Sequence, residues 1–469
     1  MIELKIDNNA VQARQGETVL QVALNNGIDI PHFCYHPCLS IAGNCRVCLV
    51  KVVGRPKLMP SCNLEATPGM VIETCSDEVL EARQAVMQFI TLNHPGDCGI
   101  CDKASECRVQ DYFFKYGGTE PISSDPKLRK PKLFKLSPRI SLDNERCILC
   151  SRCVRFTSEI SGSNMLGIIG RGSHARVSRL ESIPFDDPYS DNVIDICPTG
   201  ALLSQDFLYK SRVWYLEPVR SVCTGCSRCC SVNIWRRRKQ WYVRSLGEEK
   251  NRTAYRVTPA ENPEINGHWI CNKGYDLHKF MGRKRALNPR IHGSDVRLDE
   301  ALCTAEKLLS GAVYPAAIVS AHASNEELEA FRTALGSRMK VYTRQDYQPA
   351  ADEALEDDFL IRADKNPNSH GVQALFPNRP YDVSAGHDVL LVWGDQVEYG
   401  SFGNAHVIHL ASFDSQPENN AYVLIPISTS LERSGTFSNF EGKQNRFEKV
   451  FDKPRLVEHA SEIFGRLGA

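Results

Sequence analysis

The sequence predicts a modular α+β protein in which small metal-binding modules precede one larger α/β domain. Three observations carry this expectation. Eighteen of the nineteen cysteines lie before residue 272, mostly in C-x2-C groups. The chain opens with the period-two alternation of a strand, Ile2, Leu4, Ile6. Beyond about residue 286 the cysteines nearly stop, and helical periods alternate with short continuous apolar runs, the pattern of parallel core strands. A length of 469 residues accommodates several domains at about 150 residues each, so a lone small ferredoxin is excluded.

Lysine plus arginine equals aspartate plus glutamate at 56 each, so no bulk field draws the chain to nucleic acid or a membrane surface, and a protein partner is favoured. The start, Met1-Ile-Glu-Leu-Lys-Ile-Asp7, lacks the basic and then apolar pattern of a signal peptide. No run approaches the roughly 18 apolar residues that span a bilayer. The expectation is a cytosolic or peripheral protein. Disulfide-rich scaffolds are short and secreted, so these cysteines point to metal.

Taken in order, residues 1 to 30 predict a β-hairpin turning at Asp7-Asn8-Asn9, then a helix through Val19, Val22 and Ala23 after Gly16-Glu17-Thr18. Cys34, Cys45, Cys48 and Cys62 follow at C-x10-C-x2-C-x13-C, with Gly43-Asn44 before the central pair. Four thiolates beside a glycine-bearing loop suit a [2Fe-2S] cluster, whose charge needs nearby backbone N–H groups. Spacing alone leaves zinc open. The wording around the cysteines, Ile30-Pro-His-Phe-Cys34-Tyr-His-Pro37 and Ala42-Gly-Asn-Cys45-Arg-Val-Cys48-Leu-Val50, resembles the N-terminal ferredoxin module of the large iron-sulfur subunit of respiratory complex I. That resemblance implies a β-grasp fold holding [2Fe-2S]. Cys38 and Cys75 fall outside the set and read as small buried hydrophobes.

Val79, Leu80, Ala82, Ala85, Val86, Phe89, Ile90 and Leu92 predict a helix over 77 to 93 that delivers His94. With Cys98, Cys101 and Cys107 it makes H-x3-C-x2-C-x5-C, which zinc would accept as readily as a cluster. His94-Pro-Gly-Asp-Cys98-Gly-Ile-Cys101-Asp-Lys103, Glu106-Cys107 and Gln110-Asp111 resemble the same large iron-sulfur protein, which implies a [4Fe-4S] cluster with one histidine ligand. Gly99-Ile100 and Ala104-Ser105 depart from the family's usual Pro-Val and Gly-Gly. An imidazole in place of a thiolate makes the centre less negative and raises its potential.

A connector with Pro121, Pro126, Pro131, Pro138, Lys127, Arg129, Lys130, Lys132 and Lys135 reads as a solvated surface crossing. It leads to Cys147-Ile-Leu-Cys150-Ser-Arg-Cys153, whose C-x2-C-x2-C spacing wraps one face of an iron-sulfur cube and leaves a corner for a distant cysteine. Cys197-Pro198 supplies one, which argues for a single [4Fe-4S] centre. Arg146, Arg152 and Arg155 sit where positive charge would offset it, with ordinary surface salt bridges as the alternative. Met165 to Ser173 and Cys197-Pro-Thr-Gly-Ala-Leu202 also resemble the complex I family. Gly170-x-Gly172-x-x-Ala175 imitates a dinucleotide fingerprint, but Ala175 to Leu180 reads as a strand and no βαβ unit surrounds it.

Cys223, Cys226, Cys230 and Cys271 form a fourth candidate set, with Cys229 as rival third ligand. This pattern resembles the [4Fe-4S] domain that opens molybdopterin oxidoreductases, where the third ligand follows at x3 and favours Cys230. The run Arg236-Arg-Arg-Lys239, between Trp235 and Trp241, reads as a solvated strand or counter-charge. Leu298 to Leu309 and Glu326 to Leu335 predict helices, and Ala317-Ile-Val319 and Val389 to Gly394 predict parallel core strands. Leu431 to Lys443 resembles the complex I version of the molybdopterin-oxidoreductase fold. Cys303 lies in an apolar helical pattern and reads as core, and no molybdenum ligand is evident.

The segments expected are therefore 1–78, a β-grasp [2Fe-2S] domain; 79–120, a helix with the His/Cys3 [4Fe-4S] set; 121–215, a ferredoxin-like [4Fe-4S] domain; 216–285, a molybdopterin-oxidoreductase-type [4Fe-4S] domain; and 286–469, a reduced molybdopterin-oxidoreductase-like α/β domain. The resemblance implies an electron wire without catalytic side chains, flavin or molybdopterin of its own. It would run from a flavin and NADH-binding partner subunit toward quinone, peripheral on the cytoplasmic face of a bacterial membrane within a larger complex. On the family's path the Cys34 set accepts first, the Cys147 set next and the His94 set last, with the Cys223 set off the line. The alternatives are an iron-sulfur subunit of an NAD-linked hydrogenase or formate dehydrogenase, and, from another class, a zinc-ribbon interaction protein.

Overall fold

The computed structural model describes residues 1–118, 122–179, 185–247, 251–344, 356–395, 402–414 and 421–468. The boundary expected at 120/121, and Leu180 at the end of one expected strand, lie outside the described residues. The chain divides into two compact units, Met1–Tyr215 and Leu216–Ala469.

In the first unit, β1 (Ile2–Ile6) and β2 (Asn9–Ala13) form the expected hairpin. Its turn places Asp7 and Asn8 at φ 48° and 67°, the left-handed values that a two-residue turn between twisted strands requires. Helix α1 (Val19–Asn25) starts in a capping box, with Thr18 and Gln21 satisfying each other's backbone N–H groups. With β3 (Leu49–Val52), β4 (Met59–Pro60) and β5 (Val71–Glu73) the sheet runs β2-β1-β5-β3-β4, β1 and β5 parallel and the rest antiparallel. Leu4, Ile6, Val19, Leu20, Val22, Val50 and Ile72 form one core, so α1 covers the apolar face of the sheet as in a β-grasp fold.

Helix α2 (Asp77–Asn93) and α3 (Arg108–Tyr116) pack Met87, Val109 and Tyr112 onto Phe33 and Val47. Then β6 (Phe134–Lys135) and β7 (Ile140–Leu142) lead to α4 (Arg152–Glu159), the hairpin β8 (Leu166–Ile169) and β9 (Arg176–Arg179), α5 (Asn192–Ile196) and β10 (Leu202–Ser204). The glycines at 170 and 172 turn an antiparallel hairpin, not a βαβ unit, so the dinucleotide reading is dropped. The connector runs over the surface as expected, with Lys127, Arg129, Lys132 and Lys135 exposed, and two of its lysines are tied to backbone. Lys127 Nζ donates to the carbonyls of Thr91 and Leu92 at the negative end of α2, and Lys130 Nζ donates to Ala175 O.

The second unit opens with β11 (Leu216–Val222), β12 (Ser231–Arg237) and β13 (Ala254–Pro259), an antiparallel sheet. The basic run ends β12 with its charges engaged: Arg236 pairs with Glu217 at 2.9 Å and Lys239 with Asp452 at 3.5 Å. After α6 (Asn272–Tyr275) come β14 (Arg290–Ile291), β15 (Ser294–Asp295), α7 (Leu298–Gly311), β16 (Ala316–Ser320), α8 (Asn325–Ala334), β17 (Lys340–Arg344), α9 (Ser369–Leu375), β18 (Val389–Trp393), β19 (His406–Ala411), β20 (Val423–Pro426), β21 (Gly435–Ser438), β22 (Gln444–Phe447) and α10 (Ala460–Gly468). The main sheet runs β15-β14-β20-β19-β18-β16-β17, with β16 to β20 parallel. Leu328 and Phe331 of α8 and Ile463 and Phe464 of α10 pack on Val319, Leu391 and Ile408.

Two expectations fail locally. Cys303 is exposed: α7 turns Ala301, Leu302 and Ala305 inward, and a residue between them on a 3.6-residue helix faces out. Cys75 is exposed and Cys38 half-buried, so neither is a packed core residue. Among the described residues no helix is long and apolar enough to cross a membrane.

Candidate metal centres

All nineteen cysteines are free thiols. Pairing of β7 with β10 explains how the 147 loop meets residue 197 across a long stretch of sequence: Leu142 opposes Leu202, and Asp143 N–H donates to Ala201 O at 2.8 Å. Cys147, Cys150, Cys153 and Cys197 then line one small cavity, whose remaining walls include Leu142, Ile148, Val177, Pro198, Ala201 and Leu202. Burial pushes the thiols of Cys147 and Cys150 up to about 11 and about 12, and that of Cys153 well above the ordinary value; each also feels the charge of Cys197. Such thiols ionise only when a cationic group displaces their protons, which is the chemistry of cluster insertion. Leu149 and Ser151 hold φ 54° and 60° between the cysteines, a non-glycine cost of about 1–3 kcal/mol each. The turns aim backbone N–H groups at the site, and Leu149 N–H donates to Cys147 Sγ at 3.4 Å.

Cys34 follows the buried stretch Ile30 to Phe33, Cys45 and Cys48 precede β3, and Cys62 sits in the 3-10 turn Ser61–Asn63. The Cys34 thiol hydrogen-bonds those of Cys45 and Cys62, and Cys48 bonds Cys62, so the four form one continuous group. In these bonds Cys34 is pulled down and Cys48 to about 7, while Cys45 and Cys62 are pushed up as the donors. Arg46, between the central cysteines, again adopts φ 61°.

His94 caps the C-terminus of α2, as expected from the helical period. Burial lowers its pKa to about 4, so the imidazole is neutral at pH 7, and its buried Nδ1 has no hydrogen-bond partner. A neutral, buried ring nitrogen without a proton partner fits a metal ligand. His94, Cys98 and Cys107 line a cavity of about 480 Å³ with Phe113, Phe114 and Lys127. Cys101 is within electrostatic reach of Cys98 and Cys107 and abuts Gly200, where a Cβ would collide with its Sγ. Arg212 ties this loop down, donating to Cys101 O at 2.7 Å and to Gly99 O. Arg146 is buried and bound to Asp97 at 2.7 Å, not a surface salt bridge.

In the second unit the loop from Cys223 to Cys230 joins β11 to β12, closed by Cys223 N–H to Cys230 O at 2.8 Å. Gly225 N–H donates to Cys223 Sγ at 3.4 Å. Cys230 feels Cys223, Cys226 and Cys271, whereas Cys229, at φ 56°, turns its Sγ to donate to Pro367 O at 2.8 Å. Cys271 precedes α6, and burial raises it to about 11. A cavity of about 330 Å³ lies at the carboxyl ends of the parallel strands, lined by Ser320, Trp393, Ser412 and Ile427 together with Thr224 and Gly225.

Among the described residues no three His, Cys, Asp or Glu side chains converge on the position of one ion. In the first unit the Cys147 set surrounds a cavity instead, which suits a cluster of several atoms. The donor types and the N–H to sulfur bonds fit iron-sulfur chemistry. Sequence reasoning missed the left-handed residues, Gly200 and Arg212, because only three-dimensional proximity reveals what they do.

Comparison with known proteins gives three matching family models. These are the 2Fe-2S iron-sulfur cluster binding domain over residues 1–77, the NADH-ubiquinone oxidoreductase-G iron-sulfur binding region over 83–121, and the NADH-quinone oxidoreductase subunit 3 ferredoxin-like domain over 137–203. The chain is 37% identical over 336 residues to the NADH-quinone oxidoreductase G-subunit of Rickettsia conorii, covering 70% of this chain and 48% of that protein. It is 32% identical over 426 residues to that of Streptomyces coelicolor, covering 89% of this chain and 48% of the relative. The chain thus spans about half the length of the curated relatives it matches. Among solved structures, an NAD+-reducing [NiFe]-hydrogenase is similar at a TM-score of 0.41 and 29% identity, over 45% of this chain and 91% of that one.

Proposed function

We propose that this chain, a homologue of the NADH-quinone oxidoreductase G-subunit, is an iron-sulfur electron relay of that complex, passing electrons from a flavin and NADH-binding subunit toward quinone. The observation that carries this is the Cys147, Cys150, Cys153 and Cys197 wall around a single cavity, flanked in the same unit by the Cys34 and His94 sets. We assign Cys34, Cys45, Cys48 and Cys62 to one [2Fe-2S] centre. Three [4Fe-4S] centres go to His94, Cys98, Cys101 and Cys107; to Cys147, Cys150, Cys153 and Cys197; and to Cys223, Cys226, Cys230 and Cys271. The bound clusters supply one-electron chemistry. The protein's part is to hold thiolates and one neutral imidazole, exclude water and offset charge.

The five segments bounded at 78, 120, 215 and 285 follow from this reading. The last is a reduced molybdopterin-oxidoreductase-like scaffold without that cofactor, and its parallel sheet with a cavity at the carboxyl ends supports the fold. The protein would sit peripherally on the cytoplasmic face of a bacterial membrane, held by partner subunits. Metal and acid-labile sulfide analysis with low-temperature electron paramagnetic resonance tests the proposal. Iron and sulfide in near-equal amounts, with one [2Fe-2S] signal and [4Fe-4S] signals, are expected. Colourless protein carrying zinc would exclude it.

A further inference from the structure

Within the first unit, the loop bearing Cys34 is fastened to the loops bearing Cys150 and Cys197 by arginines. Arg155 Nη2 donates to Cys34 O at 2.5 Å and to Cys150 O at 3.4 Å, and Nη1 donates to Ser40 O. Arg152 Nη1 donates to Ile196 O at 3.1 Å, one residue before Cys197, while Nη2 reaches Tyr35 O, one residue after Cys34. Arg152 therefore has one prong on either side, whereas both prongs of Arg155 reach the Cys34 side and Nη2 is shared across to Cys150 O. Asn44 Nδ2 adds a bond to Leu149 O at 3.3 Å.

The partners are carbonyls and, for Arg155 Nε, the Ser151 hydroxyl at 3.2 Å, all neutral groups that satisfy N–H donors without neutralising charge. Among the described residues no carboxylate lies within ion-pair distance of Arg152 or Arg155, although Arg152 is only 4% exposed and its buried Nε has no hydrogen-bond partner. A buried guanidinium without a counter-ion is costly, so the compensating negative charge must come from what the flanking cysteines hold. The two Nη atoms of Arg152, one on Ile196 O and the other on Tyr35 O, place the charge between the two sets.

We infer that Arg152 and Arg155 are positioning residues shared by the two neighbouring centres: they fix the separation of the Cys34 and Cys150 loops and supply one common patch of positive charge that favours electron uptake on both sides. The inference rests on the relay reading. A lysine cannot replace either residue, because one ammonium lacks the rigid fork that binds two carbonyls facing opposite ways.

The test uses the full chain with its clusters assembled, and compares wild type with Arg152→Gln, Arg155→Gln and Arg155→Lys. Iron and sulfide content, midpoint potentials and the magnetic coupling between the two paramagnetic centres are read for each. Arg152→Gln is expected to lower the reduction equilibrium constant of both centres about tenfold, which is about 59 mV for one electron, at unchanged iron content. Arg155→Lys should keep the potentials and alter the coupling. Should Arg152→Gln fail to assemble, Arg155→Gln is expected to lower both potentials in the same direction. Assembled glutamine variants with unmoved potentials, or with a change at one centre only, would overturn the inference while leaving the relay intact. Zinc in the wild-type chain would instead overturn the relay and the inference with it, and metal analysis tells the two failures apart.

Discussion

Gly200 and Cys101 touch backbone to thiol: a Cβ at residue 200 would occupy the place of Cys101 Sγ and would also come within 3.3 Å of Lys103 Cβ. The contact joins two ligand loops, since Gly200 lies three residues beyond Cys197. The same seam is closed by Arg108 N–H, directly after Cys107, donating to Pro198 O at 3.0 Å. Gly200→Ala is therefore expected to displace Cys101 and cost the chain the proposed histidine-ligated centre, about four irons. The [2Fe-2S] signal should survive. Iron content together with paramagnetic resonance checks this, and full iron loading in the variant would show that the loop can shift aside.

The adjacent cysteines of the fourth set should separate cleanly. Cys230 lies within electrostatic reach of Cys223, Cys226 and Cys271, whereas Cys229 reaches only the first two and donates its S–H to Pro367 O. Cys230→Ala should remove one [4Fe-4S] signal, with quinone reduction by NADH persisting in assembled complex if that centre lies off the main path. Cys229→Ala should keep every signal and lower stability by about 1–3 kcal/mol, the cost of leaving a buried carbonyl unsatisfied. The reverse pattern would exchange their roles.

How much of this was legible beforehand depends on the kind of interaction. Helices α2, α7 and α8 follow local hydrophobic period, and the expected ranges agree with the structure to within about two residues. Cysteine spacing identified candidate groups because ligands close in sequence must share a loop. Spacing could not place Cys303, since an apolar helical pattern does not say which way one intermediate residue faces, nor reveal the carbonyls that Lys127 and Lys130 bind. The arginine forks were legible as charge near cysteine, but their function as links between loops arises from partners 44 to 121 residues away.

Ser105 marks a local departure with a measurable consequence. It occupies φ 70°, a left-handed conformation that glycine adopts without steric cost. Its backbone N–H still donates to Gln110 Oε1 at 2.9 Å, so the loop is held against its preference. Ser105→Gly should stabilise the chain by about 1 kcal/mol and leave cluster content unchanged. A lower melting temperature in the variant would show that the serine side chain contributes more than its strain.

His32 predicts a pH dependence. Burial, and then Arg108 with Nη1 2.6 Å from Nε2, lower its pKa to about 4. The unfolded chain binds this proton near pH 6.5 and the folded chain only near 4, so stability falls as pH drops through that window and is full above it. His32→Gln should flatten the decline in melting temperature between about pH 7 and about pH 5. An unchanged slope would assign the acid sensitivity to other groups.

Glu432 supplies the strongest stability prediction, in the second unit. It is 1% exposed, receives both prongs of Arg285 at 2.9 and 3.0 Å, and accepts from Arg252 at 3.3 Å and from Thr429 N–H at 3.0 Å. Arg285 in turn holds Ser412 O at 2.9 Å beyond β19, and Arg252 stands just before β13, so one carboxylate ties the small antiparallel sheet to the parallel one. Glu432→Gln keeps the shape but leaves two poorly solvated guanidinium groups facing a neutral amide, an expected loss of about 3–5 kcal/mol. Glu432→Leu combined with Arg285→Met should cost less than the sum of the two single changes, because each single change strands the other partner. Denaturant unfolding of the four proteins gives the coupling directly. Additive losses would mean that Glu432 acts through Arg252 or Thr429, and the tie between the sheets would then run through β13 alone.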